Sequence, residues 1–261
     1  MAMTEVALNF RRYGDTGPAV LMLHGLFGSA KNWHSQATSL AGDFSVYAVD
    51  LRNHGASPHC DQIDYPSMAA DVLALIDAQG IEQANILGHS MGGKVAMQIA
   101  LQAAPRVQKL IVVDIAPKHY PGHHDGVLEA MQAVDFDAHR TRQDLDRALS
   151  GSIPDPSIRQ FILTNLVRDA DTGTFTWQLN LRAIVANYAR LATAPQGQPF
   201  QRPALFIKGA DSNYIQAADR ETIEMLFPQA RAKVIANAGH WPHAEKPRVF
   251  AKLVGDFLRG G

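Results

Sequence analysis

The sequence predicts an α/β protein, a mostly parallel central sheet flanked by helices, interrupted by a helical insertion. Two observations carry this. Short apolar, β-branched runs alternate with amphipathic stretches, the pattern of strands joined by crossover helices. The alternation then stops from Ile115 to Arg202, where no convincing buried strand is readable and His, Asp and Arg become frequent. With 261 residues, 46% of them hydrophobic, the chain is long enough to bury one large core, and this composition argues against disorder.

The elements follow in chain order. Ala19 to His24 and Phe44 to Val49 read as strands. Pro66 opens a helix in which Met68, Val72, Leu75 and Ile76 recur at helical spacing, and Gly80 ends it. Ala84 to Leu87 is a strand, Gly92 to Ala103 a helix, and Leu110 to Asp114 the next strand. Inside the insertion, Asp144 to Leu149, Ser157 to Val167 and Leu179 to Leu191 carry helical patterning, and Ala194 to Pro203 is a loose return. Strands are expected again at Ala204 to Lys208 and Ala232 to Ala236, with a terminal helix over Pro247 to Leu258. The expected division is a core of residues 1–114 and 203–261 and a helical cap of residues 115–202, lying over one end of the sheet.

Composition narrows the partners. Lys and Arg number 24 against 25 Asp and Glu, so there is no basic field to attract nucleic acid or an anionic membrane. The longest apolar stretches, Ala19 to Leu23 and Leu110 to Val113, fall far short of the roughly 20 residues that cross a bilayer. Met1 to Glu5 lacks a basic start followed by an apolar run, so no signal peptide is expected and the reading is a cytoplasmic protein. The single cysteine, Cys60, cannot form an intrachain disulfide and reads as a solvated loop thiol.

The most informative residues are Gly88-His89-Ser90-Met91-Gly92, directly after a strand run and directly before a helix. A strand that turns abruptly into a helix strains its corner residue, so the residues two before and two after must be small. Gly88 and Gly92 meet that need, and the turn exposes the Ser90 hydroxyl at a helix N-terminus. A serine nucleophile needs an imidazole base, itself oriented by a carboxylate. His240 is the expected base, because the loop leaving the last strand lies above the same sheet edge; His243 is expected to pack or bond locally. Two aspartates, Asp114 and Asp211, sit at strand ends from which a carboxylate reaches that histidine, and position alone leaves both open. His119, His123, His124 and Asp125 cluster at the start of the insertion but match no zinc spacing, so no metal is expected.

Five ordered motifs extend the elbow: His24-Gly25-Leu26-Phe27-Gly28-Ser29, Asp50 to Ser57, Gly88 to Lys94, Asp114-Ile115-Ala116-Pro117 and Gly239 to Pro247. Together they resemble the α/β-hydrolase superfamily over nearly the whole chain, and within it the YbfF-type bacterial carboxylesterases. The resemblance implies the α/β-hydrolase fold, with the cap inserted after the sixth strand of the superfamily's count. It also places the acid in the Asp-Ile-Ala-Pro motif, favouring Asp114 over Asp211, although Asp211 stands at the usual superfamily position. Ser212 beside it is a candidate supporting residue. From the resemblance and the geometry of acyl transfer, the backbone N–H groups of Leu26 and Met91 are the expected oxyanion donors, with Phe27 as a nearby substitute. Asp50 and Arg52 are expected to knit their own loop together.

The expected activity is therefore serine carboxylic-ester hydrolysis through an acyl-enzyme, on short to medium acyl esters or thioesters, without cofactor or metal. Phe27, Tyr120, Tyr214 and Trp241 are the expected apolar lining of a small-molecule pocket. Cofactor-free perhydrolysis and carbon–carbon bond hydrolysis use the same triad and stay open, as does a non-catalytic small-ligand receptor. A monomer or dimer is the expected state.

Overall fold

The computed structural model describes residues 5–122, 124–139 and 141–260. The strands are β1 (Phe10–Tyr13), β2 (Ala19–Leu23), β3 (Ser45–Val49), β4 (Ala84–His89), β5 (Val107–Val113), β6 (Leu166–Arg168), β7 (Phe175–Trp177), β8 (Ala204–Gly209) and β9 (Ala230–Ile235). The helices are α1 (His34–Leu40), α2 (Tyr65–Ala78), α3 (Met91–Gln102), α4 (Asp125–Gln132), α5 (Arg142–Leu149), α6 (Pro156–Leu163), α7 (Leu181–Ala186), α8 (Tyr188–Leu191), α9 (Arg220–Leu226), α10 (Pro242–Glu245) and α11 (Pro247–Arg259). Seven strands form the main sheet in the order β1-β3-β2-β4-β5-β8-β9. Only β1 runs antiparallel to its neighbour; every other pairing is parallel. Strands β6 and β7 pair with each other as a separate hairpin.

The central strands are buried on both faces because alternate side chains feed two cores. Leu21, Ile86, Leu110 and Phe206 pack with Val72, Ile76 and Val95 from α2 and α3. Their neighbours Val20, Leu87, Ile111 and Leu205 pack with Ala37, Leu40, Phe250 and Val254 from α1 and α11. Local signals set the helix starts: Asp64 caps α2 by accepting from Ser67 N–H, and Pro66 occupies the first turn.

The structure departs from the sequence reading in several places. Strand β1 escaped prediction because Phe10-Arg11-Arg12-Tyr13 is a polar edge segment with one neighbour; it makes the insertion follow the fifth strand of chain order. The helix expected over Ser157 to Val167 ends at Leu163, and Leu166 and Val167 enter the hairpin. Asn165 causes the break: its side chain donates to the Ile162 and Phe27 carbonyls, while its own carbonyl accepts from Gln178 N–H at 2.7 Å. The helix expected over Leu179 to Leu191 splits at Asn187, whose side chain donates to Ala183 and Asp61 carbonyls.

Parallel strands deliver their C-terminal ends to one edge, and this edge carries the loops after β2, β4, β5, β8 and β9. The segment between β5 and β8 folds over that edge, with Val127 of α4 and Ile158, Phe161 and Ile162 of α6 facing Ser90 across a cavity. Among the described residues no helix is long and apolar enough to cross a membrane.

Candidate active site

Ser90 stands between the last residue of β4 and the first of α3 with φ 53° and ψ −118°, a left-handed corner that a side chain adopts at a cost. Two glycines make room for it. A Cβ on Gly88 would stand 2.0 Å from the Gly92 carbonyl oxygen, and one on Gly92 would stand 2.4 Å from the Leu23 carbonyl oxygen. Ser90 N–H donates to the Val113 carbonyl at 3.0 Å, which ties the corner to the neighbouring strand.

Ser90 Oγ lies 3.1 Å from His240 Nε2, and His240 Nδ1 lies 2.8 Å from Asp114 Oδ2. Asp114 is fully buried and also takes up a positive φ of 52°. Its carboxylate accepts two further hydrogen bonds, from Gly209 N–H at 3.1 Å and from the Ser212 hydroxyl. The His240 ring stacks on Tyr214 with centroids 3.8 Å apart, and its carbonyl accepts from His89 Nε2 at 2.7 Å. The imidazole is thus held from its face and from its backbone as well as from Nδ1.

Of the two acids the sequence left open, the structure brings Asp114 to His240. Asp211 is exposed; its main-chain N–H donates to the Ala238 carbonyl, and among the described residues its carboxylate makes no hydrogen bond to His240. His243 does not reach Ser90 either. It is buried against Trp33 and His89 with ring centroids 4.6 Å away in each case, and burial pushes its pKa down to about 3.

A cavity of about 310 Å³ opens over Ser90 and His240, lined by Phe27, Phe161, Ile162, Tyr214 and Trp241 among others. A smaller pocket of about 50 Å³ lies on the Met91 side of Ser90, with Leu26, Lys94, Tyr120 and Leu191 in its walls. All four aromatic residues expected to line a pocket therefore border one of these two spaces. Leu26 and Met91, the expected backbone donors, flank Ser90 in the small one. Met91 N–H belongs to the first turn of α3, which leaves it without an intrahelical acceptor and at the positive end of the helix.

The sequence profile of the alpha/beta hydrolase family matches residues 20–253. The chain belongs to the alpha/beta hydrolase family. It is 41% identical over 255 residues to the sn-1-specific diacylglycerol lipase ABHD11 of Mus musculus, covering 94% of this chain and 82% of that protein. It is 37% identical to esterase YbfF of Escherichia coli K12 over 240 residues, covering 92% of each. A solved structure described as a marine microorganism esterase superposes with a TM-score of 0.94 at 39% identity, covering 97% of this chain and all of that one. The expectation of an ester hydrolase is met at the level of this family and its activity class.

Several residues of this hydrolase site were not assigned a role in the sequence reading. Lys94, visible only as part of the elbow motif, is buried with its ammonium donating to the Ala192 carbonyl at 3.1 Å and the Thr193 carbonyl at 2.6 Å. Its Nζ also lies over the Tyr65 and Tyr120 rings at 5.3 and 4.8 Å, and burial lowers its pKa to about 7. Lys94 so pins the end of the inserted segment to the core. Tyr120, read as pocket lining, is also a brace, donating to the Tyr214 carbonyl at 2.5 Å and accepting from Ala116 N–H. Phe161 and Ile162 carried no signal beyond helical periodicity. Arg52 and Asp50 knit their loop as expected: Arg52 forms a buried pair with Asp71 at 2.5 Å, and Asp50 accepts from the N–H groups of Ala30 and Ala56. Half-buried Cys60 lies in the same loop, and burial pushes its thiol pKa up. Of the histidine-rich stretch, His123 lies outside the described residues, His119 is exposed, and His124 bonds Tyr188 and meets the edge of Phe27. Among the described residues no group of three His, Cys, Asp or Glu is placed to hold a metal.

Proposed function

We propose that the protein is a serine carboxylic-ester hydrolase working through an acyl-enzyme, on short to medium acyl esters or thioesters. The observation that carries this is the unbroken line from Ser90 Oγ through His240 to Asp114, at 3.1 and 2.8 Å, joining residues 150 and 126 positions apart. Asp114, buried, accepts from Nδ1–H and so leaves Nε2 free to take the serine proton. Ser90 Oγ then attacks the ester carbonyl carbon, and the Leu26 and Met91 N–H groups hold the resulting oxyanion. As the tetrahedral intermediate collapses, His240 returns the proton to the departing alkoxide. Water, deprotonated by the same imidazole, hydrolyses the acyl-Ser90 ester.

Ser212 and Gly209 support the acid by donating to its carboxylate, and Tyr214 holds the imidazole plane. The division into a core of residues 1–114 and 203–261 and a cap of residues 115–202 belongs to the same proposal. It is supported by the way Val127 and Phe161 close the space above Ser90. A cytoplasmic location and a monomeric or dimeric state rest on the sequence reading. The experiment is a p-nitrophenyl ester series from acetyl to dodecanoyl, with Ser90→Ala as the blank. Serine-dependent turnover that falls with acyl length supports the proposal, and its absence on every ester overturns it.

A further inference from the structure

Two spaces meet at Ser90, and they differ in size and in which catalytic group borders them. The 310 Å³ cavity is bordered by His240 and Trp241, with Phe27, Val127, Ile158 and Phe161 as an apolar wall. The 50 Å³ pocket is bordered by Met91 and does not reach His240; Tyr65, Tyr120, Leu191 and Lys94 close it.

From this we infer that the enzyme splits its ester between the two spaces, the acyl group entering the small pocket and the alcohol group the large apolar cavity. The substrate class is then short-chain acyl esters of bulky apolar alcohols. The inference rests on the proposed acyl-enzyme chemistry and follows from where its proton must go. When the carbon–oxygen bond to the alcohol breaks, the alkoxide takes the proton from His240 Nε2, so its oxygen lies within hydrogen-bond reach of that nitrogen. The alcohol group therefore extends into the space that His240 borders. The oxyanion is held by the N–H of Leu26, a residue that borders both spaces, and by that of Met91, which borders only the small pocket. The remaining substituent of the tetrahedral carbon, the acyl chain, is left with the pocket beside Met91.

Size sets the limit on that chain. At the 10–15 Å³ that hold one water, about 50 Å³ accommodates on the order of four heavy atoms, which is an acetyl to butanoyl group. Its walls do not yield easily. Lys94 is fixed by two carbonyls, the Tyr65 hydroxyl donates to the Leu191 carbonyl at 2.5 Å, and Tyr120 is fixed by the Tyr214 carbonyl. The lysine ammonium faces carbonyl oxygens and tyrosine rings, so the pocket takes an uncharged group.

The test uses isomeric esters, which match in size and hydrophobicity and differ only in which side carries the chain. Octyl acetate and ethyl octanoate are compared by proton release, with Ser90→Ala as the blank. Octyl acetate is expected to have the higher kcat/KM by on the order of 100-fold, since even one misplaced methylene in a pocket is worth roughly 10-fold or more. Equal rates, or a preference for ethyl octanoate, overturn the assignment while leaving the esterase proposal intact. Absence of Ser90-dependent turnover on both overturns the esterase proposal itself. Leu191→Ala, outside the catalytic relay, removes three heavy atoms from the wall of the small pocket. It is expected to raise ethyl octanoate turnover at least about 10-fold relative to octyl acetate. An unchanged ratio in a variant that still folds, judged by its circular dichroism and its thermal melt, also overturns the assignment.

Discussion

Replacing Asp114 by Asn separates the two acids that the sequence left open. In the structure the Asp114 carboxylate accepts three hydrogen bonds, from His240 Nδ1, Ser212 Oγ and Gly209 N–H. Asparagine keeps one oxygen, which the Gly209 amide holds at the Oδ1 position, so its nitrogen takes the Oδ2 position that Ser212 and His240 share. Its NH₂ group then faces His240 Nδ1 and forces that nitrogen to accept. The proton moves to Nε2, where it points at Ser90 Oγ, and the imidazole no longer takes the serine proton. A tautomer reversal of this kind lowers kcat by about 10⁴, which is roughly 5.5 kcal/mol of transition-state stabilisation. Ser212→Ala removes only one of the three bonds, leaves the charge in place, and is expected to cost about 10-fold, the lower end of a hydrogen bond to a charged group. Asp211→Asn, changing an exposed side chain, should stay within about 3-fold. The assay is steady-state hydrolysis of p-nitrophenyl acetate, with thermal melts to confirm that each variant is folded. An Asp211→Asn loss larger than the Asp114→Asn loss would refute the assignment of the acid.

Three other outcomes are expected. Gly88→Ala places a methyl 2.0 Å from the Gly92 carbonyl oxygen, and the elbow must open; a loss of more than about 3 kcal/mol in urea unfolding, or failure to fold, is expected. Lys94 has its pKa lowered to about 7 by burial, so the unfolded chain binds more protons than the folded one above that pH. Stability should therefore rise by about 2 kcal/mol from pH 7 to pH 9 in urea titrations, and Lys94→Met should flatten that rise. His54 and His243 are held near 3 by burial, so below their ordinary pKa of 6.5 the unfolded state gains protons the folded state refuses. Lowering the pH from 6.5 to 4 should cost about 3 kcal/mol per histidine, seen as a falling urea midpoint, and a midpoint that stays constant would contradict their burial in neutral form.

How much of this was legible in the sequence depends on how local each signal is. The elbow was readable because strand, corner and helix are contiguous, and the two glycines that permit it flank Ser90 directly. His240 was readable because it follows the last strand, and strand order fixes the edge to which it returns. The choice between Asp114 and Asp211 was not readable from position, since both end strands. What brings the Asp114 carboxylate to His240 is its turn into the protein at φ 52° and the donors Gly209 and Ser212, which arrive from almost 100 residues away. The pocket walls were legible only in part. Phe161 and Ile162 have the periodicity of a core helix, and nothing local distinguishes an apolar face that meets a cavity from one that meets another helix. The β6–β7 hairpin escaped because each strand is three residues long, and Leu166 and Val167 continue the apolar pattern of the preceding helix. What breaks that helix is the Asn165 bond to the Phe27 carbonyl, a contact between segments 138 residues apart.

The central claim is that Ser90 is the nucleophile. It is tested most directly by treating the enzyme with a fluorophosphonate and locating the adduct by peptide mass spectrometry, with Ser90→Ala treated in parallel. The account predicts activity lost in proportion to one adduct per chain, carried by the peptide containing Ser90. It also predicts no adduct on the Ala variant, whose kcat should fall by on the order of 10⁶. Full activity after treatment, or an adduct on another residue that tracks the loss, would contradict it.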